Sequence, residues 1–173
     1  MVRSEHKVKH VQLESFSLDH TKLTAPYIRH AKTIPVPNSD YQINVYDLRL
    51  KTPNTELLTP KTTHSLEHLL ATAIRGVLEE KKPMCKVLDL SPMGCRTGFY
   101  ISVLAPRDTL SLPEMAETAT EIIPAALEIT ELPGATIETC GAYLEHDFKQ
   151  ARTELQRLEK QRIVPLENPP HLN

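Results

Sequence analysis

From Leu66 to Leu78 the apolar residues Leu66, Leu69, Leu70, Ala73, Ile74, Val77 and Leu78 recur at spacings of three and four, the period of a helix that buries one side. Thr62 and Thr63, just upstream, are its candidate N-caps. A second helix is expected to open at Ser111-Leu112-Pro113-Glu114, where serine and glutamate stand in capping-box spacing, and Pro124 should kink it. Phe148, Ala151, Leu155 and Leu158 mark a last helix from Asp147 to about Gln161, with a charged outer face. Strands are predicted near residues 27–34 and 41–50. Two further apolar runs, Val87 to Leu90 and Phe99 to Leu104, flank the glycine-bracketed turn Ser91-Pro92-Met93-Gly94-Cys95-Arg96-Thr97-Gly98 and read as strand, turn and strand.

Composition fits one domain, since 173 residues is a single-domain length and 40% hydrophobic content supports one core. The core is expected over about residues 12–162, with residues 1–11 an extension and 163–173 a tail in which Glu167-Asn168-Pro169-Pro170 reads as frayed. Met1 to Lys9 is basic and polar without the apolar stretch of a secretory signal. No run approaches membrane-spanning length, and nothing repeats. A net charge of −2 gives no reason to expect nucleic acid as a partner. Fourteen prolines, several at 35–37 and 53–60, mark loops on either side of the Arg49 strand. Three cysteines cannot all pair, which fits a reducing cytoplasm.

The chemistry concentrates in His64-Ser65-Leu66-Glu67-His68. At about 100° per residue the two imidazoles lie one turn apart on one helix face with Glu67 beside them, a metal-site candidate with an acid/base group at hand. Two solvated histidines are the plainer alternative. Arg75, eleven residues beyond His64, continues that face about three turns along. A catalytic metal takes a third protein ligand and keeps a position open. Cys140, followed by Gly141, is a candidate if the glycine lets the backbone turn sharply, and otherwise a small buried hydrophobe. Cys95 stands at the tip of its turn beside Arg96, a setting that suits a nucleophile or general base. Cys85 has no such setting and reads as incidental.

Taken together these residues resemble the S-ribosylhomocysteine lyase (LuxS) family, whose members make the precursor of autoinducer-2. Five segments carry the resemblance, in the family's order and over roughly residues 12–160: Glu14 to His20 followed by Ala25 to Arg29, Tyr46 to Arg49, His64 to Ala71, Asp89 to Tyr100, and Glu138 to Gly141. It implies an α+β single domain, an antiparallel sheet packed against helices in a LuxS/metallopeptidase-like α/β sandwich. It also implies a homodimer whose active sites are shared between subunits through the N-terminal segment.

By the same resemblance His64, His68 and Cys140 match the family's metal ligands, for one divalent ion per subunit, natively iron(II) and replaceable by zinc or cobalt. Ligand type alone does not choose among these metals. Cys95 and Glu67 match the two acid/base residues. The implied reaction moves a carbonyl along the open ribosyl chain of S-ribosylhomocysteine and then eliminates L-homocysteine, leaving 4,5-dihydroxy-2,3-pentanedione. Ser15, Phe16, His20, Arg49, Arg75 and Asp89 match substrate-binding positions, the last two at the amino-acid end.

Departures from the family are the extension before Glu14 and a charged insertion at 79–86 that could alter pocket edges; His146 has no assigned role. His-x-x-Glu-His is also the inverted zinc-peptidase signature, in which Glu145 would be the distal ligand. That reading leaves the Cys95 turn idle. An inactive metal-binding module is the third possibility, although a closed site needs a fourth ligand.

Overall fold

The computed structural model describes residues 13–172, so the basic stretch Met1 to Lys9 and the extension before residue 12 lie outside the described residues. Alternating residues build the sheet from two hairpins. β1 (Tyr27–Pro35) pairs antiparallel with β2 (Tyr41–Arg49), from Tyr27 opposite Arg49 to Pro35 opposite Gln42. The hairpin link carries Asn38 at φ 56°, a left-handed conformation that asparagine tolerates. β3 (Lys86–Pro92) and β4 (Gly98–Pro106) form the second hairpin, and β4 lies along β2 from Tyr41 opposite Pro106 to Arg49 opposite Gly98. A side chain at Gly98 would place its Cβ 2.1 Å from the Leu48 carbonyl oxygen, so only glycine lets these strands close there. The four strands fall near the predicted ranges, 27–34, 41–50, 87–90 and 99–104.

The first long helix, α1, spans Pro60–Lys81. Its N-cap is Thr59, whose hydroxyl accepts from the Thr62 N–H at 3.1 Å, so Thr62 and Thr63 are buried first-turn residues and not the caps. Pro60 explains the earlier start, because a first-turn proline forfeits no helical hydrogen bond. The helix α2 (Leu112–Glu128) has the expected Ser111/Glu114 capping box and runs on through Pro124 for one further turn. α3 (Phe148–Glu159) is capped by Asp147.

All three helices pack on one sheet face. There Ile28, Tyr46, Leu48, Phe99, Ile101 and Val103 meet Leu66, Leu69, Leu70, Ile74, Ile122 and Leu155 in one buried cluster. Each such side chain, fully buried, contributes about 1.5–3 kcal/mol. The sheet order is β3-β4-β2-β1-β5, antiparallel except at β5, so the fold is a single α+β domain with an open sheet, as expected.

Two sequence expectations need correction. Residues 79–86 do not edge the region around His64: they make the last turn of α1 and the tight turn into β3, roughly 22 Å along the helix from His64. Glu79 fastens that turn to the Lys86 ammonium at 2.8 Å and the Val87 N–H at 3.1 Å, and Cys85 fills the core beneath it. Nor is the tail frayed. Ile163 is buried, β5 (Val164–Pro165) adds in parallel to β1, and residues 170–172 bond back to residues 17–19. Its prolines have little conformational freedom to lose, which lowers the cost of ordering it.

Candidate metal centre and substrate cavity

The exposed side of the first turns of α1 carries His64, Glu67 and His68, because the apolar spacing that buries Leu66, Leu69 and Leu70 turns these three outward. An irregular segment between α2 and α3, residues 129–147, folds back over them. Asp147 anchors it, its N–H donating to Ser65 Oγ at 2.9 Å and to the Lys61 carbonyl at 3.3 Å. His64 Nδ1 donates to the Glu145 carbonyl at 3.0 Å, and His68 Nδ1 to the Pro133 carbonyl at 2.6 Å. Each bond holds its ring with Nε2 free, the arrangement that metal-binding histidines use.

The same segment delivers the remaining donors. Cys140 Sγ lies 3.4 Å from His64 Nε2 and accepts from the Ala142 N–H at 3.4 Å. His146 stacks on His64 with centroids 3.9 Å apart, its Nε2 3.7 Å from Cys140 Sγ and its Nδ1 3.4 Å from Ser65 Oγ. Donor atoms of His64, His68, Cys140 and His146 all lie within 4.8 Å of one another, a nitrogen and sulfur set suited to a divalent transition metal. Burial, and then the proximity of His64 and His68, pushes the His146 pKa down, favouring the neutral imidazole that can ligate.

The backbone does turn after Cys140, at residues 141–144, but Gly141 takes no positive φ there. The glycine with positive φ in this segment is Gly134, at 66°, where an added Cβ would stand 3.5 Å from His68 Nδ1. Glu145 is no ligand in this arrangement, since its backbone carbonyl serves His64 while its carboxylate sits 3.5 Å from the Lys61 ammonium. Glu67 stands just outside the donor group, its carboxylate 3.6 Å from His68 Nε2. With Thr63, His64, Pro92, Met93, Gly94 and Arg96 it lines a cavity of about 320 Å³.

A second cavity of about 320 Å³ lies across Met93 and Gly94, which line both. Around it the fold gathers Ser15, Phe16, His20, Arg49, Cys95 and Tyr100 from one chain. The Cys95 turn is tight: Arg96 takes φ 56° and donates its N–H to the Met93 carbonyl at 2.8 Å. The sulfur consequently stands 3.1 Å from Thr97 Oγ1 and 3.7 Å from Arg49 Nη1, facing a hydroxyl and a cation.

Behind the sulfur runs a buried ionic chain. Arg49 donates to both Asp47 oxygens, at 3.1 and 2.8 Å, and to Thr97 Oγ1 at 2.8 Å. Arg29 donates to the same Asp47 carboxylate at 3.1 Å and clasps Glu14 with its other nitrogens at 2.6 and 3.1 Å. Asp47 is wholly buried and both arginines are 1% exposed. Burial opposes the charge on both guanidiniums, but Asp47, joined at Arg29 by Glu14, outweighs it and raises both pKa values. Arg49 is thus both the pairing partner of Asp47 and a wall of the cavity.

His20 completes the wall with Nδ1 donating to the Leu18 carbonyl at 3.1 Å. Arg75 and Asp89 are not brought to either cavity: Arg75 is exposed and caps the Ala71 carbonyl at 2.7 Å, and Asp89 is exposed on β3 opposite Ser102. Thr97, Tyr100 and Met93 escaped the sequence reading. Only their place inside the Cys95 turn and its following strand hinted at them.

The candidate metal donors, the Glu67 carboxylate beside them and the Cys95 thiol across one turn thus lie close together in one chain. Residues 13–168 match the family model described as S-ribosylhomocysteinase (LuxS), which spans nearly the whole chain and supports S-ribosylhomocysteine lyase activity over a peptidase. The chain belongs to the S-ribosylhomocysteinase (LuxS) family of carbon–sulfur lyases.

Proposed function

We propose that this protein converts S-ribosylhomocysteine to L-homocysteine and 4,5-dihydroxy-2,3-pentanedione, the autoinducer-2 precursor. The observation that carries this reading is the placement of Glu67 and Cys95 on two cavities that meet at Met93 and Gly94. His64, His68 and Cys140 would hold the divalent ion, iron(II) in the native enzyme, with His146 as a fourth donor close by. The ion supplies Lewis acidity toward the migrating carbonyl oxygen.

The chain's own groups move the protons. Each carbonyl shift removes a proton from one carbon and returns one to its neighbour, which needs acid/base groups on both sides of an extended substrate. Glu67 Oε2 serves from the α1 side and Cys95 Sγ from the turn. Arg49 and Thr97 hold the sulfur in place and supply donors toward it. Ser15, His20 and Arg49 bind the sugar hydroxyls, while Phe16, 68% exposed, covers the apolar part of the ligand. Arg75 and Asp89 take the amino-acid end, outside the two cavities. Incubation with S-ribosylhomocysteine should release free thiol and a 1,2-dicarbonyl in equal amounts; thiol without dicarbonyl would point to a simple hydrolase.

A homodimer belongs to this reading. The sheet face away from the helices carries Ile34 opposite Ile43, and Ile43 opposite Leu104, with Ile34 44% exposed and Leu88 on the adjoining strand 48% exposed. A second copy of the chain would cover that apolar strip. Within one chain the N-terminal segment lines the Cys95 cavity, which adjoins that chain's own Glu67 cavity, so sharing would replace this pairing by one between the Cys95 cavity and the partner's metal centre. Mixing inactive His20→Ala and Cys140→Ala proteins then tests it. Random exchange makes half the dimers hybrid, each with one intact site, so activity should return to about a quarter of wild type; no recovery after verified exchange would leave each site within one chain. A cytoplasmic setting completes the reading, because Cys95 and Cys140 act as thiols and all three cysteines are free. Among the described residues no helix is long and apolar enough to cross a membrane.

A further inference from the structure

The substrate-facing segment 14–22 has little of its own to hold it. It consists of two single 3₁₀ turns, Glu14–Phe16 and His20–Lys22, with no buried residue in either. Helical pieces this short are not stable alone. Three side-chain anchors tie it to the body: the Glu14 pair with Arg29, and the buried Leu18 and Leu23. Between Glu14 and Leu23, where Ser15, Phe16 and His20 project, its backbone bonds outward only to the tail of the chain, among the described residues. The Asp19 N–H donates to the Pro170 carbonyl at 2.9 Å, and the Leu172 N–H donates to the Ser17 carbonyl at 2.8 Å. These two bonds flank an antiparallel bridge between Leu18 and His171, and His171 Nδ1 stands 3.4 Å from Ser17 Oγ.

We infer that the C-terminal tail is a positioning clamp for the substrate cavity: residues 170–172 form a short strand against residues 17–19 and so fix Ser15, Phe16 and His20 on the wall opposite Cys95. The tail is well built for it. Ile163 is sunk in the core, the Leu166 N–H donates to the Ile28 carbonyl at 2.8 Å, and Pro169 and Pro170 then carry the chain in extended form to its contact. The contact residues 170–172 lie beyond the family match, which ends at 168. This inference rests on the proposed role of Ser15, Phe16 and His20 in binding S-ribosylhomocysteine.

Leu172→Pro removes the one N–H that Ser17 accepts, whereas Leu172→Ala keeps it. Removal of residues 169–173 takes the whole clamp away. Hydrogen exchange of the peptide covering residues 14–22 is read first, in metal-loaded full-length protein and in each variant. Exchange there should quicken at least tenfold in the truncated protein and measurably in Leu172→Pro, stay at wild-type rates in Leu172→Ala, and leave α1 and its metal content unchanged. KM for S-ribosylhomocysteine should rise about tenfold on truncation while kcat changes less than twofold, as loss of a binding wall requires. Unchanged exchange over 14–22 overturns the clamp. Faster exchange with an unchanged KM also overturns it as a positioning device, and Phe16→Ala in the full-length chain then separates the causes: an unchanged KM there faults the assignment of the segment to substrate, and a raised KM faults only the tail.

Discussion

The two walls of the proposed active site are held by opposite means. The Cys95 wall stands on a sheet where Arg29, Asp47 and Arg49 bury charge against charge, with the exposed Glu14 closing over Arg29. The metal wall hangs on an irregular segment, tied to α1 by hydrogen bonds donated from His64 and His68 and accepted by Lys61 and Ser65, and its Cys140 and His146 converge with His64 and His68 on one point. The first wall is complete from protein alone. The second gathers lone pairs that face one another and gains most from a cation. The Cys95 thiol, the proton-transfer group proposed above, is therefore expected to be independent of metal loading, while the segment carrying Cys140 and His146 is expected to be coupled to it.

The sheet wall breaks most severely at its middle. Asp47→Asn leaves two buried guanidiniums with only Glu14 to answer them, and should lower stability by about 3–5 kcal/mol, the usual cost of breaking a buried pair from one side. A fall in the denaturant midpoint at constant slope would register it, and a loss under about 1 kcal/mol would mean that water reaches the chain. The metal wall should respond to a gentler change. His146→Gln removes a stacked imidazole beside Cys140 and should weaken metal binding about 10–100-fold, the range for groups at the margin of a site. Competition with a chelator measures it; unchanged affinity would exclude His146 from the donor group.

A third region sharpens the contrast because it belongs to neither wall. Glu154 on α3 meets Lys51, at the end of β2, at 2.9 Å and Arg157 at 3.1 Å. Burial works against its charge, yet Lys51 and Arg157 win and its pKa is lowered. A lowered carboxylate stabilises the fold above its unfolded value, about 4.5, and that contribution is lost as pH falls through the folded value. Glu154→Gln should accordingly be less stable than wild type at neutral pH, with the gap narrowing below about pH 4.5. A constant gap in thermal melts from pH 7 to 3 would show that the loss is one of packing alone.

What the sequence revealed of these regions follows their locality. His64, Glu67 and His68 share one helix turn, so the 3.6-residue period exposes them directly. The second hairpin shows in its apolar runs and glycine-bracketed turn, and the Ser111 cap in its spacing. The segment carrying His146 has no period at all: its position is set by Ser65 and Lys61, more than 80 residues earlier in the chain. Arg29 and Asp47 hide for another reason, since charged residues at alternate strand positions resemble a solvated face until a segment such as Glu14–Phe16 covers them. The tail was misread because proline and asparagine indicate a loop without saying what the loop touches.

One paired measurement tests the division of labour most directly. Cys95→Ser and Cys140→Ser make the same change of atom on opposite walls, and metal content and homocysteine release are then measured on the same preparations. Cys95→Ser should keep about one divalent ion per chain and lose turnover by about 10²–10⁴-fold, as removal of an acid/base group does. Cys140→Ser should lose the metal, and turnover with it. Loss of the metal from Cys95→Ser, or near-normal turnover in it, would contradict the account.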